Sequence, residues 1–269
     1  MQIKHVQGGN VPGGHEVFVT EKGNAFITPM KECNSIPLEP WDVVVDIGAY
    51  VGTYAIRCAR HPVRKVTAYE PTPETFEVLS RVSLPNMTQV QAAVTAGDQD
   101  TVSLFISKGI GVTNSCILTQ NKGDVVEVPA VKYENAVRGA TIVKIDVEGA
   151  EYSYPIVQPS LRALIVDFHP IPGKNWIAVA DRMIEEFLDH GFRPVIEPKW
   201  DCGWTRAGSW IRDIEPESME GYEPMLTGAI CCGCGCALDR STGTKSLCEE
   251  CWPKWTKAHR RDFQKGRAE

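Results

Sequence analysis

Residues 46–52 combine an acidic side chain with two glycines, in the order DIGAYVG, directly after a run of apolar residues. In a doubly wound α/β sheet, a glycine-rich turn between the first strand and its helix is where a nucleotide binds. Gly48 permits the sharp turn and a close approach of the backbone to a ligand, and Gly52 lets the helix begin next to the strand. The segment therefore predicts a nucleotide-type site, and a glycine turn without a ligand is the alternative.

The spacing of the glycines distinguishes among the candidate ligands. A dinucleotide loop has the pattern Gly-x-Gly-x-x-Gly, which places pyrophosphate on the helix N-terminus, but Tyr50 stands where the second glycine is needed. A Walker loop would end in Gly-Lys-Ser or Gly-Lys-Thr, and this segment does not. The pattern Asp-x-Gly-x-x-x-Gly is instead typical of S-adenosylmethionine enzymes, in which the acid faces the methionine amino group or an adjoining water. We predict S-adenosylmethionine as the cofactor, with these contacts: Asp46, Gly48, Ala49, Tyr50 and Gly52.

Glu70 is the candidate ligand for the ribose of this cofactor. It ends the second predicted strand, 22 residues after Gly48. An acid roughly 20 residues after the glycines accepts hydrogen bonds from ribose hydroxyls in such sheets. The alternative is a surface acid before a helix, although an isolated carboxylate that ends a buried strand is costly. Ala93, near the end of the third predicted strand, is expected to flank the adenine ring, with a small core residue as the alternative.

Asp146 and His169 are the candidate catalytic residues. Asp146 lies at the carboxyl end of the fourth predicted strand and His169 follows the fifth, and the carboxyl ends of neighbouring parallel strands meet at one edge of a sheet. Methyl transfer is an in-line displacement at a sulfonium carbon, so the enzyme positions the acceptor and removes its proton. Because an unperturbed imidazole has a pKa of about 6.5, His169 is the better base for a hydroxyl at neutral pH.

The same residues also admit other interpretations. Asp146, Asp167 and His169 could hold a divalent metal ion by oxygen and imidazole ligation. Glu148 and Glu151 could converge on the same cleft, or Glu151 could instead favour a helix N-terminus electrostatically. Lys144 could be an ion-pair partner that closes the end of the sheet. The sequence leaves a metal ion in the active site as an open alternative to direct base catalysis.

Four segments of this sequence together resemble the FkbM family of S-adenosylmethionine-dependent methyltransferases. They are KIDVEGAE at 144–151, VVVDIGAYVGTYA, VTAYEPTPETFEVL and LIVDFHP. The resemblance runs from about Trp41 to Ile214. The glycine loop alone would indicate only the class I methyltransferase superfamily, and the KIDVEGAE segment points to the FkbM family within it. It implies O-methylation of a hydroxyl on a sugar, nucleoside or natural-product-like acceptor. It also implies that Thr113, Asn114 and Ser115 lie near the cofactor.

Strand and helix patterns alternate after Trp41, which predicts an α/β fold. We expect a Rossmann-like doubly wound sheet, mostly parallel, with helices on both faces. Two further pairs of strands are predicted to be antiparallel: an inserted hairpin at 101–106 and 125–131, and a closing pair at 192–196 and 209–214. The predicted sheet strands are 43–47, 65–69, 88–94, 142–147 and 163–168, and the predicted helices are 53–61, 73–82, 176–190 and one from Ala150.

Six of the ten cysteines crowd into residues 231–251, as two Cys-x-x-Cys knuckles separated by 13 residues plus two further cysteines. Four thiolates at this spacing are typical of a closed tetrahedral zinc site, which is structural. Cys232 and Cys236 leave the register open, and a disulfide or an iron–sulfur cluster is the weaker alternative. We predict a zinc-ribbon-like module with these zinc ligands: Cys231, Cys234, Cys248 and Cys251.

The last residues, 252–269, are basic and contain aromatic side chains, whereas the whole chain has a net charge of −6. Aromatic residues among cations suit contacts with nucleic acid, which gives the alternative function of a nucleic-acid-modifying methyltransferase. The acidic remainder of the chain argues against a broad nucleic-acid face, because phosphate neutralisation dominates such binding. A small-molecule acceptor is therefore the preferred partner, and a basic helix packed on the module is the structural alternative for the tail.

These observations divide the chain into four parts. The N-terminus has no apolar secretory segment, and no apolar run reaches the roughly 20 residues that a membrane span requires, so a cytoplasmic protein without a membrane partner is expected. The predicted parts are a β-hairpin extension (1–40), a Rossmann-like methyltransferase domain (41–214), a linker (215–228) and the zinc-ribbon-like module with its basic tail (229–269).

Overall fold

The computed structural model describes residues 4–7, 16–19, 25–26, 33, 35–106, 115, 124–171, 173–201 and 205–214. The predicted linker and cysteine module, residues 215–269, lie outside the described residues, as do Thr113 and Asn114. The zinc ligands and the basic tail therefore stay predictions. Among the described residues, no helix combines the length and the apolar character that crossing a bilayer requires.

The described elements alternate between strands and helices from residue 43 onward. The strands are β1 (Lys4–Gln7), β2 (Glu16–Val19), β3 (Ala25–Phe26), β4 (Val43–Ile47), β5 (Lys65–Tyr69), β6 (Met87–Val90), β7 (Ala93–Thr95), β8 (Thr101–Ile106), β9 (Asp124–Lys132), β10 (Ile142–Ile145), β11 (Ala163–Phe168), β12 (Arg193–Asp201) and β13 (Thr205–Ile211). The helices are α1 (Thr53–Ala59), α2 (Pro73–Leu79), α3 (Tyr133–Ala136) and α4 (Trp176–Asp189), with a 3₁₀ turn at Ala150–Ser153.

The main sheet has seven strands in the order β12-β13-β11-β10-β4-β5-β6. Five neighbouring strands, from β11 to β6, run parallel, and β13 is antiparallel to both of its neighbours. The order along the chain reverses between β4 and β10, because the chain first builds outward through β5 and β6 and then returns to the other side of β4. This confirms the predicted α/β, Rossmann-like doubly wound sheet, whose ligands bind at the carboxyl ends of the strands where the order reverses.

The strands of the centre are buried on both faces, as their continuous apolar sequences predict. β10 and β11 are buried along their whole length. Successive residues of β4 belong to different cores: Val44 packs with Ala55 of α1, and Val45 packs in the core that contains Phe187 of α4. Helices therefore cover both faces of the sheet.

A buried ion pair holds the amino ends of three strands together. Arg162, before β11, donates through Nε to Asp42 Oδ1 at 2.7 Å, and its Nη2 pairs with Asp42 Oδ2. Thr141, before β10, donates to the same Asp42 Oδ1 at 2.8 Å. Asp42 is fully buried and immediately precedes β4, so this contact fixes the strands relative to one another at the end opposite the ligand-binding edge.

Other predicted elements occur with altered bounds. The N-terminal hairpin pairs β2 with β3, and both predicted antiparallel pairs are present as β8 with β9 and β12 with β13. The third predicted strand, 88–94, was wrong as one element. A tight turn, in which Ala92 N donates to Val90 O at 3.1 Å, divides it, and β7 joins β8 and β9 in a second sheet.

The helix predicted from Ala150 is a single 3₁₀ turn. Tyr154 ends it in an extended conformation, with φ −89° and ψ 141°. Pro155 follows, and the ring of a proline disfavours helical backbone at the preceding residue. The segment after β10 is therefore a short loop, which keeps its polar side chains close to the strand end.

Gly48 lies where the loop after β4 crosses the loop after β10. Its φ is +77°, and a Cβ built there would lie 1.8 Å from the carbonyl oxygen of Asp146. The close approach that the sequence predicted is thus made to the neighbouring strand. Only a residue without a side chain lets these two loops meet at the reversal point.

Gly48→Ala is expected to destabilise the fold much more than Gly139→Ala. Both glycines have a left-handed φ, +77° and +71°, but nothing lies within 4 Å of a Cβ at Gly139. The control should lose about 1 to 2 kcal/mol from the backbone conformation alone. Crowding should cost Gly48→Ala roughly 2 kcal/mol more, measured as the free energy of unfolding in denaturant. Equal losses for the two variants would contradict the close approach.

Candidate functional site

The backbone amides of the loop after β4 donate their hydrogen bonds inside the protein. The bonds are Gly48 N and Ala49 N to Tyr69 O (3.0 and 2.9 Å), Tyr50 N to Glu70 Oε2 (2.8 Å) and Gly52 N to Ala49 O (2.8 Å). A loop that holds a phosphate presents its amides to the ligand. These four amides are bonded inside the protein and are not available to a phosphate.

Glu70 is fixed at the end of β5 by donors from two sides. Its Oε1 accepts from Thr72 N and from Thr75 Oγ1, each at 2.8 Å, and its Oε2 accepts from Tyr50 N. Burial raises the pKa of Glu70, and these hydrogen bonds oppose the rise. The structure therefore places this carboxylate beside the loop, as predicted. Thr72 and Thr75 were not predicted as site residues. The feature that could have identified them is their position directly after an acid at the end of a strand.

Asp46 is fully buried and has a different role from the predicted one. Its Oδ2 accepts from Ala55 N at 3.2 Å, in the first turn of α1, and its Oδ1 lies 3.1 Å from Lys144 Nζ. Burial raises the pKa of Asp46, and Lys144 opposes the rise. With both oxygens engaged and no exposed surface, Asp46 positions the loop and the helix rather than facing a ligand.

Lys144 is a buried cation that links the loop after β4 to the polar residues after β10. Its Nζ lies 3.2 Å from Gly48 O and 3.4 Å from Asp146 Oδ2, in addition to its bond with Asp46. Burial by itself lowers the pKa of Lys144, but the charges of Asp46 and Asp146 outweigh it and raise the pKa above the ordinary value. The predicted ion-pair role at the sheet end is therefore confirmed, and the pair reaches across β4 and β10.

His169 follows β11 and lies among four carboxylates. Its ring is buried, with 8% of the side chain exposed. The distances from Nε2 are 3.4 Å to Glu148 Oε1, 3.7 Å to Asp146 Oδ1 and 3.9 Å to Asp167 Oδ2, and Nδ1 lies 3.4 Å from Glu151 Oε1. The structure thus brings together the polar residues that the sequence placed at the ends of the fourth and fifth strands.

This surrounding changes the expected chemistry of His169. Burial lowers the pKa of His169, but the carboxylates of Glu151, Glu148 and Asp146 outweigh burial and raise it to about 10. An imidazolium at neutral pH cannot accept a proton, so the role of base at that pH does not fit this ring. Its charge instead suits it to hold neighbouring carboxylates or an acceptor oxygen.

Two carboxylates of the cluster have pKa values near neutrality. Burial raises the pKa of Glu148 to about 7, and it raises that of Asp167 to about 7 as well, while His169 opposes both shifts. A group that titrates near the working pH is suited to take a proton from a hydroxyl. The geometry therefore moves the candidate base from the imidazole to these carboxylates.

Glu151 organises the loop that carries Glu148. It is fully buried, its Oε2 accepts from Gly149 N at 2.8 Å, and its Oε1 accepts from His169 N at 2.6 Å. Ser115 Oγ donates to Glu148 O at 2.7 Å from the chain between β8 and β9. The family resemblance implies that residues 113–115 lie near the cofactor. Of these, Ser115 is described by the structure, and it lies at the acid cluster, that is, the four carboxylates around His169.

Ala93 does not line the site through its side chain. It is 2% exposed and packs with Leu104 and Val128 in the core of the second sheet. The turn at Ala92 diverts the chain from the main sheet before this residue. The alternative that the sequence left open, a small core residue, is the one that the structure supports.

Three side chains of the cluster could hold a metal ion. One ligand atom each from Asp146, Glu148 and His169 lies within 4.8 Å of the others. The predicted trio contained Asp167 in place of Glu148. Glu148 reaches the cluster with a left-handed backbone conformation, in which its φ is 54°. No pattern in the sequence predicts this conformation.

Comparisons with known proteins give only distant similarities. No family model and no curated protein matches this chain. The precorrin-6y C5,15-methyltransferase of Geobacter metallireducens aligns with a TM-score of 0.40 and 11% identity over 68% of this chain and 86% of that one. The magnesium protoporphyrin IX methyltransferase of Synechocystis with bound SAM gives a TM-score of 0.34 and 15% identity over 65% and 71%. TrmK of M. capricolum with S-adenosyl-homocysteine gives 0.38 and 10% over 71% and 73%.

His169 is expected to titrate far above an ordinary histidine in chelator-treated protein. Its imidazole resonances should report a pKa of about 10, whereas burial holds the pKa of His61 below 6.5. The linked stability is fully present below a pH of about 6.5 and is lost as the pH rises through 10. Glu148→Gln should lower the pKa of His169, and Glu185→Gln, an exposed acid on α4, should leave it unchanged. A pKa near 6.5 in the wild type would contradict this assignment.

Proposed function

We propose that this chain is an S-adenosylmethionine-dependent methyltransferase of the FkbM type that methylates a hydroxyl of a small-molecule acceptor, such as a sugar, a nucleoside or a natural product. The observation that carries the proposal is the loop after β4, in which four amides are bonded inside the protein while Glu70 lies beside them. This combination suits a nucleoside ligand that has a ribose and carries no phosphate. S-adenosylmethionine is such a ligand.

The described residues fit this cofactor in a specific way. Glu70 would bind the ribose, because a ribose hydroxyl can replace the hydroxyl of Thr75 at Oε1 as one neutral O–H donor for another. The backbone donors Thr72 N and Tyr50 N would keep the carboxylate in place during this exchange. The turn of Gly48, Ala49 and Tyr50 would lie along the methionine part, and Asp46 would support it from inside.

The acid cluster would serve the acceptor. It lies at the ends of β10 and β11, and Lys144 connects it to the loop after β4 through Gly48 O and Asp146. S-adenosylmethionine supplies a methyl group on a sulfonium, which leaves a thioether after transfer. Glu148 or Asp167 would accept the proton of the hydroxyl, since both titrate near neutral pH. His169 and Asp146 would orient the acceptor oxygen by charge and hydrogen bonding.

The cysteine module belongs to the proposal as a structural zinc site. Its support is the spacing of the four cysteines alone, since these residues lie outside the described part of the chain. A closed site with four thiolates stabilises a short module and leaves no open position for chemistry. The module would therefore contribute to recognition of an acceptor or partner, and catalysis would stay in the sheet domain.

Isothermal titration with S-adenosylmethionine should show binding that depends on Glu70. Glu70→Gln removes the negative charge that accepts hydrogen bonds from the ribose hydroxyls. We expect the dissociation constant to rise about 10- to 100-fold, as for a lost hydrogen bond to a charged group. The matched control is Glu74→Gln, an exposed acid on α2. Circular dichroism should show that both variants are folded. Wild-type protein that does not bind, or a Glu70→Gln variant that binds equally well, would contradict the proposal.

Transfer of a labelled methyl group should reach hydroxyl acceptors. We expect product with glycosides or nucleosides that carry free hydroxyls and none with the same compounds when those hydroxyls are blocked. Activity should rise between pH 6 and 8 as Glu148 and Asp167, whose pKa values are about 7, lose their protons. Transfer only to amines or to nucleic-acid bases would overturn the hydroxyl assignment and leave the cofactor assignment intact.

A further inference from the structure

The cluster at the ends of β10 and β11 has an excess of negative charge. Asp146, Glu148, Glu151 and Asp167 all lie within 4 Å of the His169 ring. The nearby cation Lys144 is shared between Asp46 and one oxygen of Asp146. The imidazolium of His169 balances one of these four charges, and the remaining carboxylates repel one another unless a further cation lies among them.

A second, independent observation is that a buried polar atom of the cluster lacks a hydrogen-bond partner. Asp167 Oδ1 makes no hydrogen bond within the described residues, although Asp167 is only 8% exposed. Buried polar atoms in proteins are almost always bonded, and exceptions point to a bound water or ion. The cluster is therefore incomplete without a ligand.

We infer that Asp146, Glu148 and His169 bind a divalent cation of the Mn²⁺ or Mg²⁺ class, which holds the hydroxyl oxygen of the acceptor; the second half of this inference rests on the proposed function. The ligand atoms are Nε2 of His169, Glu148 Oε1, which lies 3.4 Å from Nε2, and Asp146 Oδ1, which lies 3.7 Å from it. The cation takes the place of the proton that Nε2 carries in the metal-free protein, because an imidazole nitrogen binds a metal only when it is unprotonated. Neighbouring ligands of an octahedral ion with bonds of about 2.2 Å are about 3.1 Å apart. The three ligand atoms lie within 4.8 Å of one another, so the side chains would move inward to reach this spacing.

The second layer around these ligands already has the arrangement that metal sites use. A histidine that binds a metal through one nitrogen directs the other N–H to a carboxylate, and Glu151 Oε1 lies 3.4 Å from Nδ1. Glu151 is itself fixed by Gly149 N and His169 N. Lys144 holds Asp146 Oδ2, which leaves Oδ1 to face Nε2. Each ligand is thus oriented by a group behind it.

The types of ligand select the class of cation. Two carboxylates and one imidazole suit a hard or intermediate divalent ion that takes oxygen ligands in an octahedral shell, such as Mn²⁺ or Mg²⁺. Three protein ligands leave open positions in an octahedral shell, where an acceptor hydroxyl can bind. Coordination lowers the pKa of a bound hydroxyl, as it does for bound water. With Glu148 bound to the cation, Asp167 is the carboxylate left to accept the proton of the hydroxyl.

Titration of the full-length protein with MnCl₂, followed by the electron paramagnetic resonance signal of free Mn²⁺, tests the site directly. Chelator-treated wild type should bind one equivalent. Glu148→Gln keeps the size of the side chain and should weaken binding at least about 10-fold. His169→Gln is the second variant and should weaken it similarly. Glu185→Gln, the exposed control on α4, should bind like the wild type.

Two results would overturn the inference. One is a wild type that binds Mn²⁺ no more tightly than Glu148→Gln and His169→Gln. The other is an equal loss of affinity in Glu185→Gln, which would place the ion elsewhere. Titration with S-adenosylmethionine on the same samples separates the two proposals: cofactor binding without Mn²⁺ binding refutes only the cation site, and Mn²⁺ binding without cofactor binding refutes only the proposed function.

Discussion

The structure depends on one buried cation at the point where the strand order reverses. Lys144 lies between Asp46 on β4 and Asp146 after β10, and it also donates to Gly48 O. A buried pair that loses one partner leaves an uncompensated charge, which costs about 3 to 5 kcal/mol. The two central strands, the cofactor loop and the acid cluster are therefore not independent parts, because each contributes a partner to the same ammonium group.

The two ends of the sheet differ in how their buried polar groups are bonded. At the amino ends, Arg162 and Thr141 bind Asp42 and fix the three central strands. At the carboxyl ends, four carboxylates lie around His169, and Asp167 Oδ1 makes no hydrogen bond within the described residues. One end therefore satisfies its own charges, whereas the other depends on ligands to do so.

Strained backbone occurs on both sides of this second end. Tyr50 and Glu148 are the non-glycine residues with positive φ in the described part of the chain, each at 54°. Such conformations cost of order 1 to 3 kcal/mol and persist where surrounding contacts hold them. Glu70 holds the first through Tyr50 N, and Ser115 holds the second through Glu148 O. These two strained residues place the loop after β4 and the carboxylate of Glu148 at the same cleft.

The sequence by itself determined the layout, because local patterns decide where strands, turns and strand-end acids occur. The apolar runs at 43–47 and 163–168, the glycine spacing and the positions of Glu70, Asp146 and His169 were sufficient to predict a doubly wound sheet with its site at one edge. Only the tertiary structure decided the chemistry of these groups. Asp46 pairs with a lysine 98 residues away, and the carboxylates of Glu151, Glu148 and Asp146 raise the pKa of His169. Exposure and protonation depend on neighbours in space, which no local pattern contains.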